Sequence, residues 1–304
     1  MIKDGIPVDG VVKRERKSGF VELFRTTPVQ TVCPNFYVLS HANGCRFQPS
    51  CSYCYLKSSF WYLHLPHVFT NKEDLFREVL AWIRRDDLES YVLNSGNLSD
   101  SLAFEIDRPI TAELVLLFRE HAEREGRPHC LLVVTKAGLE PCKPLLDQAP
   151  SPNVIVSFSF NSPEAAAALE SGAAPMEERL AAARKIKSLG WRLRIRLDPM
   201  IRGFDYDGIA LQIRDLAPEL ITLGTLRAER GLRRFLPRRL AAGLEQNADP
   251  RGLDRYPQAE RIALCKHVAE LIGGGIQVGL CEETQEVWDA VLGDWKNSRC
   301  NCSL

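Results

Sequence analysis

Three cysteines crowd one short stretch, Cys45-Arg-Phe-Gln-Pro-Ser-Cys51-Ser-Tyr-Cys54-Tyr55, spaced C-x5-C-x2-C. Thiolates this close in sequence are soft ligands for zinc or an iron-sulfur cluster. Structural zinc and simple electron-transfer clusters take four protein ligands. No fourth Cys or His follows at finger spacing, since His64 and His67 come in a later segment. A cubane [4Fe-4S] cluster held by three cysteines keeps one iron open for a small molecule. Two readings stand at this point: an open cluster, or a zinc site closed by one of those histidines or a distant cysteine.

Composition narrows the setting. The net charge is zero, so no global field draws the chain to nucleic acid or a membrane surface. No run approaches the roughly 18 apolar residues that a membrane span needs. The first residues, MIKDGIPVDGVVKRERKSG, are polar and mixed in charge, unlike a secretory signal. Ten cysteines without such a signal point to metal or redox chemistry in a reducing cytoplasm rather than to a disulfide framework.

The elements that must position the cysteines alternate between strand and helix. Phe36–Ser40 reads as a strand running into the cysteine loop, and residues 72–85 as a helix with Leu75, Val79 and Trp82 on one face. Strands follow at 91–94, 130–135, 154–160, 192–198, 220–224 and 276–281. Helices are expected over 110–125, 139–148, 175–189 with Gly190 closing it, 208–216 and 257–272. Arg192-Leu-Arg-Ile-Arg-Leu-Asp198 alternates strictly, which puts its arginines on one side. This order implies parallel strands with right-handed crossovers. The expected fold class is α/β, a partial (open) TIM barrel of about six β/α units with irregular N- and C-terminal extensions. The corresponding division is an extension over 1–34, a barrel over 35–285 and a tail with Cys-x-Cys over 286–304. Irregular structure is expected at 1–30, at Arg227–Tyr256 and from Lys296 onward.

In such folds chemistry collects where strands meet the loops that follow them. The unusual polar residues fall there: Asn94-Ser-Gly-Asn-Leu-Ser-Asp100, Thr135-Lys136, Ser157-Phe-Ser159-Phe-Asn161, Arg196-Leu-Asp198, Thr222-Leu-Gly-Thr225 and Cys281-Glu-Glu283. Caps and turns use the same residue types, but their joint placement on one rim favours a site. An open iron beside Lys, Ser, Asn and acidic groups suits a ligand carrying both an amine and a carboxylate.

On these segments the chain resembles the radical S-adenosylmethionine (SAM) enzymes of the spore photoproduct lyase-like family. The resemblance rests on Gly44-Cys45, Cys51-Ser-Tyr-Cys54-Tyr55-Leu56, Leu98-Ser-Asp100-Ser-Leu, Val133-Val-Thr-Lys136 and Ser157-Phe-Ser159-Phe-Asn161-Ser. It continues through Glu178-Arg-Leu-Ala-Ala-Ala-Arg-Lys-Ile and Gly190 to Asp198-Pro-Met-Ile201, in the family's order. It implies a partial barrel with a [4Fe-4S] cluster on Cys45, Cys51 and Cys54, and SAM chelated to the open iron. Reductive cleavage then gives a 5′-deoxyadenosyl radical that abstracts hydrogen from substrate, with an electron donor such as flavodoxin or ferredoxin. Lys136, Ser159, Asn161 and Asp198 are the expected cofactor contacts. Asp100 and Cys281 are expected catalytic groups, and Tyr55 a radical relay.

Two departures mark this chain off from the family pattern. The usual spacing is C-x3-C-x2-C, so the loop holds two additional residues, including Pro49, expected to bulge outward. The family's cysteine just before the Ser-Asp pair has no counterpart, because Ser95-Gly-Asn97-Leu98 carries no thiol. Cys300-Asn-Cys302 reads as a pair on a flexible end. It either returns to the site as a relay, a hydrogen donor or metal ligands shared with Cys281, or is an exposed, oxidisable tail. Cys33, Cys130, Cys142 and Cys265 read as structural. The basic run Arg227–Arg239, with Phe235 among its arginines, suits a phosphate backbone, or a solvated surface paired with Glu229 and Glu245. The substrate stays open among DNA or another nucleic acid, a peptide and a small molecule, and the alternative to an enzyme is a zinc or iron-sulfur binding module.

Overall fold

The computed structural model describes residues 10–304 apart from 26, 29, 247–251 and 298; the rest of the 1–34 extension lies outside the described residues. Eight strands form one sheet in the order Gln277–Leu280, Leu220–Thr225, Arg192–Met200, Val154–Phe160, Cys130–Thr135, Val92–Asn94, Phe36–Leu39, Val21–Phe24. Seven run parallel, joined by six crossovers, and Val21–Phe24 pairs antiparallel with Phe36–Leu39 at one edge. The two outermost strands do not pair. The expected open barrel of six β/α units is therefore what the chain builds.

Side-chain alternation assigns the two faces. Val156, Phe158 and Phe160, then Leu193, Ile195 and Leu197, then Ile221 and Leu223 point outward into the main core. The helices cover that face with their apolar stripes. Lys72–Ile83 buries Leu75, Val79, Trp82 and Ile83, the spacing of one helical face. The opposite face takes Ser157 and Ser159, Arg194, Arg196 and Asp198, and Thr222, so the barrel interior is polar on that side. Toward Phe36–Leu39 it turns apolar, with Val38, Val92, Leu132 and Ile155 clustered on it.

Two expectations of irregular structure are corrected, while residues 299–304 form a turn with no helix or strand, as expected. Val12–Arg14 pairs with His67–Phe69, and Val21–Phe24 joins the main sheet. Within 227–256, Arg227–Glu229 pairs antiparallel with Leu253–Arg255. The C-terminal end is not an exposed tail: Cys300, Asn301 and Cys302 are buried against the inner face of the sheet. Arg194 Nη1 donates to the carbonyls of Asn301 (2.9 Å) and Ser303 (2.5 Å), and Ser157 Oγ donates to Asn301 Oδ1 (2.7 Å). The arginine stripe that the alternation puts on one side thus finds its partners inside the barrel.

Candidate active site

The cysteine loop is held from two sides. Gly44 N donates to Leu98 O (2.9 Å) and Ser52 N to Leu169 O (2.7 Å), which ties the loop to the ends of two different strand-helix units. The inserted residues Gln48 and Pro49 keep their side chains exposed, as an outward bulge requires. Their backbone, however, rests on Gly172. A Cβ there would stand 2.3 Å from Pro49 O and 2.6 Å from Gln48 C, so only glycine allows the approach. Gly172→Ala is expected to cost about 1–3 kcal/mol by overpacking and to lower the iron retained per chain after reconstitution, read by thermal denaturation and an iron assay.

Beneath the loop lies a polar group that the sequence did not announce. Glu170 is 1% exposed. Its Oε1 accepts from Lys136 Nζ (3.1 Å), Asn161 Nδ2 (3.1 Å) and the Tyr53 hydroxyl, while Arg179 Nη1 stands 2.6 Å from Oε2. Burial alone would raise this carboxyl, but Lys136 and Arg179 outweigh it and hold the pKa at about 2. Tyr53, between Cys51 and Cys54, is thereby pinned to a buried anion with two cations on it. The only local signal was a carboxylate ending an alanine-rich helix, Pro163–Leu169, which nothing in the pattern marked as buried.

The loop after Val92–Asn94 is equally fixed. Asp100 accepts from Leu102 N (2.9 Å), Thr135 Oγ1 (2.9 Å) and Lys136 N (2.7 Å), so both of its oxygens already serve the backbone and a hydroxyl. His41 Nδ1 faces an Arg108 guanidinium (3.1 Å) and must accept, so Nε2 carries the proton and donates to Ser95 O (3.0 Å). Burial, with Arg108 adding to it, lowers the His41 pKa to about 3, consistent with a neutral ring. Tyr55 donates its hydroxyl to Asn97 O, joining the cysteine loop to the stretch that lacks a thiol.

Opposite these loops is a charged cluster. Asp198 pairs with Arg196 and accepts from Arg227 Nη1 (2.7 Å) and Nη2 (3.3 Å). Arg227 also pairs with Glu282. Cys281 Sγ accepts from Arg196 Nη2 (3.2 Å) and Arg227 Nη2 (3.1 Å). Burial would raise Asp198, but Arg227 and Arg196 hold it well below the usual carboxylate range.

The predicted residues therefore divide. Cys45, Cys51, Cys54, Tyr55 and Lys136 converge at one mouth, and Ser159 lies on the inner face of the neighbouring strand end. Asn161 has its amide fully used: Nδ2 donates to Glu170 and Pro199 O, and Oδ1 accepts from Tyr206 and Ser162 N. Asp198 is likewise committed to two guanidiniums. The basic run needs correction as well. Arg227 turns inward to Asp198, and Arg233 pairs with Asp254 at 2.7 Å, while Arg230, Arg234, Arg238 and Arg239 stay exposed. Glu229 accepts from Ser58 Oγ rather than from an arginine. Arg234 lies over Phe235 (5.0 Å to the ring centroid) and Trp61 (5.9 Å), and Trp61 meets Tyr62 edge-on at 6.1 Å. Trp61 and Tyr62 are 66% and 55% exposed, so this aromatic and arginine rim next to the cysteine loop is open.

The surroundings of Cys45, Cys51 and Cys54 bear on the expected cluster. Burial raises all three thiols, opposed by backbone N–H groups at Phe47 and Leu56 facing Cys45 and Cys54 and by Lys136 near Cys51. Positive charge and N–H groups around three soft sulfurs suit thiolates bound to iron.

A partial barrel with three cysteines in the loop after its first parallel strand is the frame of a radical SAM enzyme. The family model for spore photoproduct lyase matches residues 12–222, and the chain belongs to that family. Among solved structures it is similar to spore photoproduct lyase complexed with dinucleoside spore photoproduct, with TM-score 0.71, 19% identity, and coverage of 89% of this chain and 82% of that one. A spore photoproduct lyase double mutant with bound AdoMet and the same dinucleoside gives TM-score 0.69 at 20% identity over 88% and 81%. SuiB of Streptococcus suis gives 0.50 at 12% identity over 83% and 52%. No curated protein matches the chain. No helix among the described residues is long and apolar enough to cross a membrane.

Proposed function

We propose that Cys45, Cys51 and Cys54 hold a [4Fe-4S] cluster whose open iron binds SAM, and that the substrate is a short stretch of nucleic acid. The observation that carries this reading is the doubly clamped cysteine loop facing Lys136 and Ser159 at the barrel mouth, with the open Trp61–Arg234 rim beside it. When bound, the cluster and SAM supply a reducing electron and a primary carbon radical that abstracts hydrogen. The protein's own residues position and shield. Lys136, held by Glu170 at 3.1 Å, sets positive charge beside Cys51. Asn161, Asp100 and Glu170 fix the loops from behind. Tyr55 spans from the cysteine loop to Asn97, which ties that loop to the stretch after Val92–Asn94.

The relatives' dinucleoside ligand supports a nucleic-acid substrate, and so does the rim. Stacking on an aromatic face contributes about 1–3 kcal/mol per base and arginine adds charge. Trp61→Ala is expected to weaken binding of a short single-stranded oligonucleotide by about 5- to 160-fold, the range that such a stack implies. Arg234→Ala should both weaken it and flatten its salt dependence. Fluorescence anisotropy at two ionic strengths reads both, and unchanged affinity in the two variants would remove nucleic acid from the reading.

Chemistry is tested by anaerobic reconstitution, dithionite reduction and chromatography of 5′-deoxyadenosine, with an oligonucleotide present, for wild type and Cys51→Ala. Product from wild type alone is expected. A wild-type protein that assembles no cluster would overturn the assignment. Accumulation of 5′-deoxyadenosine, one per turnover, would mean that SAM is consumed rather than regenerated.

A further inference from the structure

A cleft lies outside the barrel mouth, on the strands that precede and follow the cysteine loop. Val12–Arg14 pairs with His67–Phe69, which pairs in turn with Ala42–Asn43, the strand that leads into Cys45. Arg14 stands opposite Phe69 and Asn43 opposite His67. Because side chains alternate along a strand, these four share one face of the small sheet. Ala42 and Val68 turn to the other face and pack with Val11, Ala103 and Phe104. The first face lines a cleft of about 410 Å³. The turn over residues 15–18 completes the lining together with Tyr62 and Leu63, which follow the cysteine loop.

The cleft is held in shape and carries positive charge. Arg16 N donates to Asn71 Oδ1 (2.9 Å), Asn71 Nδ2 donates back to Arg16 O (3.1 Å), and Phe20 N donates to Glu78 Oε2 (2.6 Å). Those bonds fix the turn at its base. The Arg16 side chain is committed there too, with Nε on Gly19 O (2.7 Å), Nη2 3.3 Å from Glu22 Oε1 and the guanidinium over the Phe69 ring at 5.1 Å. Arg14 and Lys17 differ. Both are exposed, and neither takes a carboxylate among the described residues. Glu15 is the single acid of the lining. His67 adds no charge at neutral pH, since burial and then Arg14 lower its pKa.

Tyr62 joins this cleft to the rim already described. It lines the cleft and meets Trp61 edge-on at 6.1 Å, and Trp61 lies under Arg234. Cations in a concave track with aromatic faces along it are what a single strand requires, charge for its backbone and rings for its bases. A cleft also admits a narrow strand, whereas a broad acidic protein surface would call for a flat or raised basic face.

We propose that the cleft between Arg14, Lys17 and Tyr62 binds the phosphate backbone of a nucleic-acid strand whose neighbouring bases stack at Trp61. This rests on the nucleic-acid reading of the substrate and extends it. The contact comes from the N-terminal strand rather than from the barrel, and it is independent of base sequence, as backbone contacts are.

The test is fluorescence anisotropy of a labelled single strand of about 12 nucleotides with the full chain, titrated at several salt concentrations. Each phosphate contact on a single strand adds about 0.7 to the slope of log affinity against log salt, so Arg14→Ala/Lys17→Ala should reduce the slope by about 1.4. The reduction should be the same for thymine and adenine homopolymers. Lys13→Ala, an exposed cation on the alternate face of the same strand, should leave the slope at the wild-type value. Glu15→Gln should tighten binding. All four positions are exposed, so melting temperatures should stay at wild type. A slope unchanged in Arg14→Ala/Lys17→Ala, with binding still weakened by Trp61→Ala, overturns the cleft and leaves the nucleic-acid reading standing. An equal reduction in Lys13→Ala would mean diffuse attraction and overturns it as well. So does displacement of the strand by millimolar inorganic phosphate at constant ionic strength, which would assign the cleft to a free anion. Absence of any binding by wild type removes the nucleic-acid reading and the cleft with it.

Discussion

Glu170→Ala should destabilise the protein by about 3–5 kcal/mol, because it strips the carboxylate from two buried cations and leaves them uncompensated. Lys136 is 18% and Arg179 1% exposed in their side chains, so water cannot take over. The same substitution releases the Tyr53 hydroxyl and with it the cysteine loop, and iron retention should fall together with the melting temperature. Glu170→Gln separates shape from charge: it retains a hydrogen-bond acceptor but not the anion, and should recover only part of the loss. The pH dependence gives an independent reading. The Glu170 pKa is depressed from its ordinary 4.5 to about 2, so its contribution is complete above pH 4.5 and disappears as pH falls toward 2. That depression corresponds to about 3 kcal/mol. Urea titrations of the metal-free protein at descending pH should show this slope in wild type and its absence in Glu170→Gln. Equal slopes would mean that the carboxylate is not charged in the folded protein.

Asp198→Asn is the second large effect, about 3–5 kcal/mol for the same reason. Its two guanidiniums differ in what they keep. Arg227 retains Glu282, whereas among the described residues Arg196 retains only the Cys281 sulfur. Glu282 is itself 26% exposed in its side chain, so Glu282→Gln should cost only about 0–1 kcal/mol. Denaturant titration of the two variants side by side tests this ordering, and a reversed order would mean that Arg227 rather than Asp198 anchors the cluster. A loss in both at once should be non-additive, since they share Arg227.

Local features were readable without the fold. The helix Met176–Ser188 ends just before Gly190, as its pattern required. The helix expected over 110–125 appears as Thr111–Phe118 continued by a π turn at Arg119–Glu123, a change in winding that periodicity does not register. The three loop cysteines, Tyr55 and Lys136 were visible because their chemistry is unusual for their positions. Asn161 and Asp198 were equally visible, yet the structure spends their polar atoms on Glu170, Tyr206, Arg196 and Arg227. Residue type shows that a group can bind something, and only its neighbours decide what.

The sequence by itself determined the strand and helix order, the open parallel barrel, the three-thiol loop and the one-sided arginine stripe. All of these follow from spacing over a few residues: period two in strands, 3.6 in helices, and ligand separation in a loop. The tertiary structure alone decided which carboxylate each arginine takes, that Glu170 lies buried under the cysteine loop, and that Arg194 holds a tail 107 residues away. Those outcomes turn on charge pairing and exclusion of water between segments distant in sequence. A buried charge must find its partner wherever the fold brings one, and no local pattern carries that information.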